Sequence, residues 1–303
     1  MPKCLIVYFS QGGTTAQVAE RIATGLRSEG YDVTLYNMNG QQPPDVRDYD
    51  LFGIGSPVYY YRPPFNVEDY LNSLPDLGGM PAFAFVMYGT YRFDAGNKIR
   101  RALARKGARE VGYFHARGDD LFVGYLKEGY LFSPGHPVEG ELAQAETFGR
   151  DVAAHVAGKQ YISPGDDPSP SIIYRLERFV LGQWFARQVY SRLFRVDKNR
   201  CTSCGICMEQ CPAGNITEGR GRRPVWGRDC LLCLTCELKC PEEAITSVIS
   251  WPLIRPFMIY NTRYASRDPS IEHVRIDRRS WSQAASGRTI DNIGSKHYNR
   301  EKV

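Results

Sequence analysis

No uninterrupted apolar run in this 303-residue chain approaches the roughly 18–20 residues of a membrane span, so no transmembrane segment is expected. The sequence lacks both Gly-x-Gly-x-x-Gly and Gly-Lys-Ser/Thr. Neither a Rossmann dinucleotide turn nor a nucleoside-triphosphate loop is therefore signalled. Histidine is sparse, with 5 scattered residues and no obvious acid–base pair, which leaves little for proton-transfer catalysis. Neither sign of charge dominates: 38 Lys/Arg face 33 Asp/Glu, a net +5. Nothing around Pro2-Lys3-Cys4 resembles a secretory leader, and a cytoplasmic location is the expectation. The length suits about two domains, and 43% hydrophobic residues suit a globular protein.

What is present is cysteine in a pattern. Eight of the nine cysteines fall in two runs, Cys201-x-x-Cys204-x-x-Cys207-x-x-x-Cys211-Pro212 and Cys230-x-x-Cys233-x-x-Cys236-x-x-x-Cys240-Pro241. Three thiolates from one tight loop can surround one pole of a cubane cluster, and the fourth must come from elsewhere. This spacing is that of a pair of [4Fe–4S] clusters, in which the fourth cysteine of each run serves the other cluster. Cys201, Cys204, Cys207 and Cys240 are thereby assigned to one cluster, and Cys230, Cys233, Cys236 and Cys211 to the other. Zinc knuckles offer two cysteines each, not three plus one. A disulfide framework needs an oxidising compartment. Cys4, within Cys4-Leu5-Ile6-Val7-Tyr8-Phe9, reads as a small buried hydrophobe.

Charge is unevenly divided. Residues 1–168 hold 16 Lys/Arg and 20 Asp/Glu, and residues 169–303 hold 22 and 13. Each oxidised cluster with four thiolates carries a formal charge of about −2, which offsets part of the second excess. Arg220, Arg222, Arg223 and Arg228 lie between the two runs, where they can raise cluster potentials or attract an acidic partner. Nucleic-acid binding is not expected.

The first 160 residues alternate between strand and helix patterns. Strands are predicted at Lys3–Phe9, Tyr31–Tyr36, Tyr49–Gly55, Ala82–Tyr88 and, shorter, Val111–Ala116. Helices are predicted at Gln17–Glu29, near Asn66–Leu74, near Lys98–Lys106 and, after a long connection, at Val138–Val156. That alternation implies an α/β fold, a doubly wound five-stranded parallel sheet covered on both faces. Residues 161–195 read as a Pro/Gly/Ser/Asp-rich linker followed by one amphipathic helix over Ser171–Arg195. Such a basic helix suits either packing between domains or a membrane surface, and packing is the favoured reading. Residues 196–248 form the small α+β two-cluster module. In the extension 249–303, the apolar segment Val248–Tyr260 is expected to pack back on the first domain, and a polar tail begins near Ser280.

Three loops at the carboxyl ends of strands carry further signals. Ser10-Gln11-Gly12-Gly13-Thr14-Thr15 gathers hydroxyls and backbone N–H groups at a helix N-terminus, a favourable seat for phosphate. Gly55-Ser56-Pro57-Val58-Tyr59-Tyr60-Tyr61 and Tyr88-Gly89-Thr90-Tyr91 end the third and fourth strands. In an open parallel sheet these ends share one ligand-binding edge, and flat aromatic walls suit a flavin ring.

On these motifs, residues 1–158 resemble a flavodoxin-like FMN domain. The whole chain resembles the bacterial and archaeal family that fuses such a domain to a two-cluster ferredoxin. The resemblance implies that Ser10, Gly12, Gly13, Thr14 and Thr15 hold the FMN phosphate. It implies that Pro57, Val58, Tyr59 and Tyr60 border the ribityl chain and ring, and that Gly89, Thr90 and Tyr91 close the other side. Gly12 stands where such domains often carry threonine. Arg92-Phe93-Asp94 makes the second aromatic loop bulky, as a shield for the ring or a selector of partners. Asp119, Asp120 and Tyr125 lie near the expected rim and receive no role.

Clusters pass one electron at a time and a flavin holds one or two, so the expected function is electron transfer between two [4Fe–4S] clusters and FMN. A dedicated carrier serving a redox partner protein is favoured. The alternative is a flavin-dependent reductase acting on a small substrate with electrons supplied through the clusters. A third reading leaves the flavodoxin-like domain empty. A homodimer is left open.

Overall fold

A computed structural model describes residues 1–38 and 43–277. The tail expected from Ser280 lies outside the described residues. By internal contacts the chain forms two compact units that interleave in sequence. One is Met1–Gly118 with His136–Phe179, and the other is Asp119–Gly135 with the chain from Val180. A linear division at 160 and 196 places 119–135 with the first domain, whereas by contacts it goes with the second unit.

The first unit runs β1 (Lys3–Tyr8), α1 (Thr14–Ser28), β2 (Asp32–Asn37), β3 (Leu51–Pro57), α2 (Phe65–Ser73), β4 (Pro81–Tyr88), α3 (Ala95–Arg105) and β5 (Arg109–Arg117). The chain then passes through α4 (Val123–Lys127) and β6 (Tyr130–Phe132), which belong to the second unit, and re-enters the first in α5 (Glu139–Val156). The five strands pair in the order β2-β1-β3-β4-β5, all parallel, which is the flavodoxin-like arrangement. Cys4–Val7 and Ala82–Met87 are buried throughout, as strands covered on both faces must be. Burying Phe83 or Phe85 contributes about 1.5–3 kcal/mol each. Burial also pushes the Cys4 thiol far above its ordinary range, in keeping with a packing role.

The strand β5 is longer than expected, because polar Arg109, Glu110 and Arg117 also pair with β4, the first two across a register shift that skips Val111. Helix α1 lies almost backbone to backbone against α5. A Cβ on Gly25 would stand 2.0 Å from the Glu146 carbonyl oxygen, and one on Gly149 would stand 2.3 Å from that of Ile22.

The single helix expected over 171–195 is two, α6 (Ile172–Val180) and α7 (Gln183–Gln188). Gly182 sits extended at the start of α7, and glycine costs a helix interior about 1 kcal/mol relative to alanine. In α6, Ile172, Leu176 and Phe179 are exposed while Tyr174 is buried.

The second unit contains β7 (Arg195–Val196), α8 (Ile206–Glu209), β8 (Ile216–Glu218), β9 (Pro224–Trp226), α9 (Thr235–Leu238), β10 (Ile245–Thr246), α10 (Arg255–Ser266) and β11 (His273–Arg275). Strands β7 and β10, β8 and β9, and β6 and β11 pair antiparallel. Val123, Leu126 and Leu131 share a core with Leu234, Leu238, Ile249 and Met258. The apolar segment 248–260 therefore packs on α4 and β6. Asp119, Asp120 and Tyr125 hold this excursion together. Asp119 accepts the Gly135 N–H at 2.6 Å, Asp120 pairs with Phe132, and Tyr125 packs edge-on against Phe122 and Phe132.

Candidate functional site

The two cysteine runs are two copies of one backbone path. Cys201 and Cys230 stand 29 positions apart, and the later cysteines and the proline after the fourth repeat at that offset. Ser203 and Leu232 have φ 58 and 55°, Gly205 and Leu234 have 81 and 59°, and Gly214 and Glu243 have 57 and 47°. The first two pairs curl each loop between its first and third cysteines, the last follows the fourth cysteine, and glycine occupies only part of such positions. The short helices α8 and α9 follow. Each fourth cysteine then accepts a backbone N–H four residues on, Asn215 to Cys211 at 3.4 Å and Ala244 to Cys240 at 3.3 Å. In the second run, the Leu232 N–H donates to Cys230 at 3.4 Å and the Thr235 hydroxyl to Cys233 at 3.2 Å. Donors aimed at sulfur stabilise negative charge there, which is what a thiolate ligand needs.

The fourth cysteines cross over. Cys240 lines one pocket with Cys201, Cys204 and Cys207. Burial pushes the Cys207 thiol up to about 11, and Cys240 and Cys204 add to the rise. Burial pushes Cys230 up to about 12, with Cys233 and then Cys211 contributing. Cys211 likewise raises Cys233. Among the described residues, no three Cys, His, Asp or Glu side chains converge as a single-ion site; the four sulfurs of the first set are spread around a space. Eight thiols in two crossed sets of four, with N–H donors on the sulfurs, fit a pair of cubane clusters.

The two sets differ in their surroundings. Cys204 is exposed and Arg222 lines its pocket. Cys230, Cys236 and the intervening Leu231, Leu232 and Leu234 are all buried. Beside Cys236, the fully buried Glu237 carboxylate pairs with Lys127 of α4. It also accepts the Ser250 hydroxyl at 2.6 Å and the Ser247 N–H at 3.0 Å. The cysteine spacing gave no sign of Lys127, which is remote in sequence.

In the first unit, the loops after β1, β3 and β4 open at one edge of the sheet. Gly13 takes φ 92° immediately before α1, and a Cβ there would meet nothing, so the space beside it is open. The Ser10 hydroxyl accepts the Ala16 N–H at 3.2 Å. The first N–H groups of α1 have no partner within the helix, which suits them to an anion. This donor set fits a phosphate, with Thr14 and Thr15 in the first turn. Gly12 is exposed.

The Tyr59 hydroxyl bonds the Gln11 side chain, and the Tyr59 ring meets Phe9 edge-on, so the first two loops are joined. Tyr59 and Arg62 exchange backbone hydrogen bonds around Tyr60 and Tyr61, at φ 48 and 62°, a turn that ordinarily takes Asn-Gly. Each left-handed non-glycine residue costs roughly 1–2 kcal/mol. The Val58 N–H is already used, bonded to the Met87 carbonyl at 2.8 Å.

In the third loop, Arg117 donates to the Gly89 and Thr90 carbonyls at 2.9 and 3.3 Å, a support that strand patterning did not reveal. Thr90 is buried, while Pro57, Val58, Tyr59, Tyr60, Gly89 and Tyr91 are partly exposed around this edge. Arg92, Phe93 and Asp94, read as a shield or selector, turn to residues of 161–179. Arg92 pairs with Asp167 at 3.0 Å, Asp94 pairs with Arg178, and Phe93 packs on Tyr174.

Comparison with known proteins agrees with this division. Residues 5–123 match the flavodoxin domain family, and residues 200–245 match the 4Fe-4S dicluster domain family. An uncharacterized protein of Methanocaldococcus jannaschii is 26% identical over 153 residues, covering 50% of this chain and 97% of its own. Solved structures similar to this chain include a flavodoxin from Archaea at 20% identity, covering 51% of this chain and 99% of its own with a TM-score of 0.41. Flavodoxin 2 from Bacillus cereus, at 24% identity, covers 50% and 99%, also with a TM-score of 0.41. The chain joins a flavodoxin domain to a 4Fe-4S dicluster domain, and these domains support a redox, electron-transfer role. Among the described residues, no helix is long and apolar enough to cross a membrane.

Proposed function

With a flavodoxin domain and a 4Fe-4S dicluster domain in one chain, we propose that this protein carries electrons between two [4Fe–4S] clusters and FMN on behalf of a partner redox protein. The supporting observation is the presence, in one chain, of two crossed cysteine sets and an anion-ready loop at the end of β1. Cys201, Cys204, Cys207 and Cys240 hold one cluster, and Cys211, Cys230, Cys233 and Cys236 the other. Ser10, Gly12, Gly13, Thr14 and Thr15 hold the phosphate. Pro57, Val58, Tyr59 and Tyr60 lie on one side of the ring, and Gly89, Thr90 and Tyr91 on the other.

When bound, the clusters supply one-electron steps and the flavin either one- or two-electron steps. The chain's own residues set how those centres are reached. N–H donors at Asn215 and Ala244 lower the cost of negative charge on Cys211 and Cys240. Exposed Cys204 leaves the first set within reach of another protein, and exposed Arg220, Arg222 and Arg228 in the same unit favour an acidic partner surface. The leucines around the second set exclude water from it.

Anaerobic purification with iron, sulfide and flavin quantification tests the proposal. About eight iron and one FMN per chain are expected for two cubanes and one flavin. Four iron or none overturns the two-cluster reading, and the absence of FMN from the purified chain overturns the flavin reading.

A further inference from the structure

We infer that the segment from Tyr161 to Phe179, beyond the last helix of the sheet domain, is a built part of the flavin pocket: it holds the two ring-side loops, and Asp167, Tyr174 and Arg178 are positioning residues for FMN. The inference rests on the FMN reading above.

The loops it holds are demanding. Tyr60, Tyr61 and Phe93 take φ 48, 62 and 39°, a region that side chains other than glycine's rarely occupy. Such conformations persist only where surrounding contacts over-determine them. For Tyr61 and Phe93 those contacts converge on Tyr174. Tyr174 is 7% exposed, and its ring lies 4.8 Å from Tyr61 and 5.4 Å from Phe93, which are themselves 5.0 Å apart. Phe93 in turn stacks on Tyr91 at 5.4 Å. Tyr174 is therefore the third ring of a cluster that ties the loop after β3 to the loop after β4.

Ion pairs flank that cluster. Asp167, with its side chain 5% exposed, accepts Arg92 at 3.0 Å and the Tyr113 hydroxyl. Its backbone exchanges two bonds of 3.0 Å with the Asn97 side chain. Arg178 pairs with Asp94. Three consecutive loop residues, Arg92, Phe93 and Asp94, thus each have a partner in this one segment. The segment is itself fastened, because Arg100 donates to the Ser163 hydroxyl at 2.7 Å and the Pro164 carbonyl at 3.0 Å, and Tyr161 donates to Glu110 at 2.8 Å. A spacer between two domains needs no buried aspartate with this many partners. A strap that keeps two loops in a binding-ready shape does, because loops ordered beforehand do not lose entropy when ligand arrives.

The test uses the full chain and three substitutions, Tyr174→Ala, Tyr174→Phe and Asp167→Asn. FMN affinity is read from flavin fluorescence quenching on titrating apoprotein, and loop order from hydrogen exchange over residues 58–62 and 89–94. Tyr174→Ala and Asp167→Asn are expected to weaken FMN binding by about tenfold or more and to speed exchange in both loops. Tyr174→Phe keeps the ring and is expected to stay near the parent, and iron content is expected to be unchanged in all three. Parental affinity and exchange in folded Tyr174→Ala overturns the inference. If Tyr174→Ala fails to fold, parental behaviour in Asp167→Asn does so. An unsubstituted chain that takes up no FMN overturns the flavin reading. The exchange arm then decides the strap by itself, unchanged exchange refuting it.

Discussion

The cysteine loop at 201–211 and its copy at 230–240 share spacing, left-handed positions and the N–H bond to the fourth cysteine, but not their surroundings. Thr202 and Cys204 are exposed in the first, where Leu231 is buried and Cys233 half-buried in the second. Glu209 is exposed where Leu238 is buried, and Met208 stands where the second copy has Glu237, fully buried against Lys127. The backbone geometry that places four sulfurs is therefore separable from the environment that sets their electrostatics. Reduction adds negative charge to a centre of about −2, and that costs more where water is excluded, so the second set is expected to have the lower potential. The dry side is built by α4, β6 and α10, elements outside the repeat itself.

The largest expected effect breaks the symmetry through the crossing cysteines. Cys211→Ala should strip the cluster held by the 230–236 loop, and Cys240→Ala the cluster beside its own opposite, at 201–207. Iron should fall by about four per chain in each case, and the surviving electron paramagnetic resonance signal should differ between the two. Loss of the sequence-adjacent cluster instead would refute the crossing.

A smaller effect sharpens the contrast in burial. Lys127→Met leaves the Glu237 carboxylate buried with, among the described residues, only Ser247 and Ser250 as partners. Removing one partner of a buried pair costs about 3–5 kcal/mol, and the two remaining donors place this case near the low end. Arg222→Ala on the first side removes an exposed contact to Glu218, and the thermal midpoint should not move measurably. Anaerobic thermal unfolding followed by cluster absorbance compares the two, and equal shifts would show that the second set is no more dependent on its packing than the first.

Much of this was legible in the sequence because ligand geometry recurs at fixed offsets and buried parallel strands need continuous apolar runs. The cysteine sets, the five strands and the loop at Ser10–Thr15 all follow from such local patterns. What was not legible depends on contacts between distant residues. Helix α4 spans only Val123–Lys127, too short for a helical period to mark it, and nothing local links Lys127 to Glu237. The composition of 161–170 predicts irregular backbone correctly, but composition cannot say that Asp167 will be buried against Arg92 and Asn97. The pattern over 171–195 is helical almost throughout, and the break at Gly182 turns on one residue.

The smallest expected effect concerns backbone strain at one equivalent pair. Ser203 and Leu232 both sit in the left-handed region, at φ 58 and 55°. Glycine relieves a strain of roughly 1–2 kcal/mol at either position and returns somewhat less than 1 kcal/mol through the greater freedom of the unfolded chain. At Ser203, whose side chain makes a marginal 3.5 Å hydrogen bond to the Gly221 carbonyl, the net should be a stabilisation of about 0.5 kcal/mol. At Leu232, only 4% exposed, glycine also deletes a buried side chain, and truncating a core leucine costs about 2–5 kcal/mol. The same replacement should therefore raise the anaerobic thermal midpoint at Ser203→Gly and lower it at Leu232→Gly. Shifts of the same sign would mean that the shared backbone path, and not the unequal burial, governs how each loop holds its cysteines.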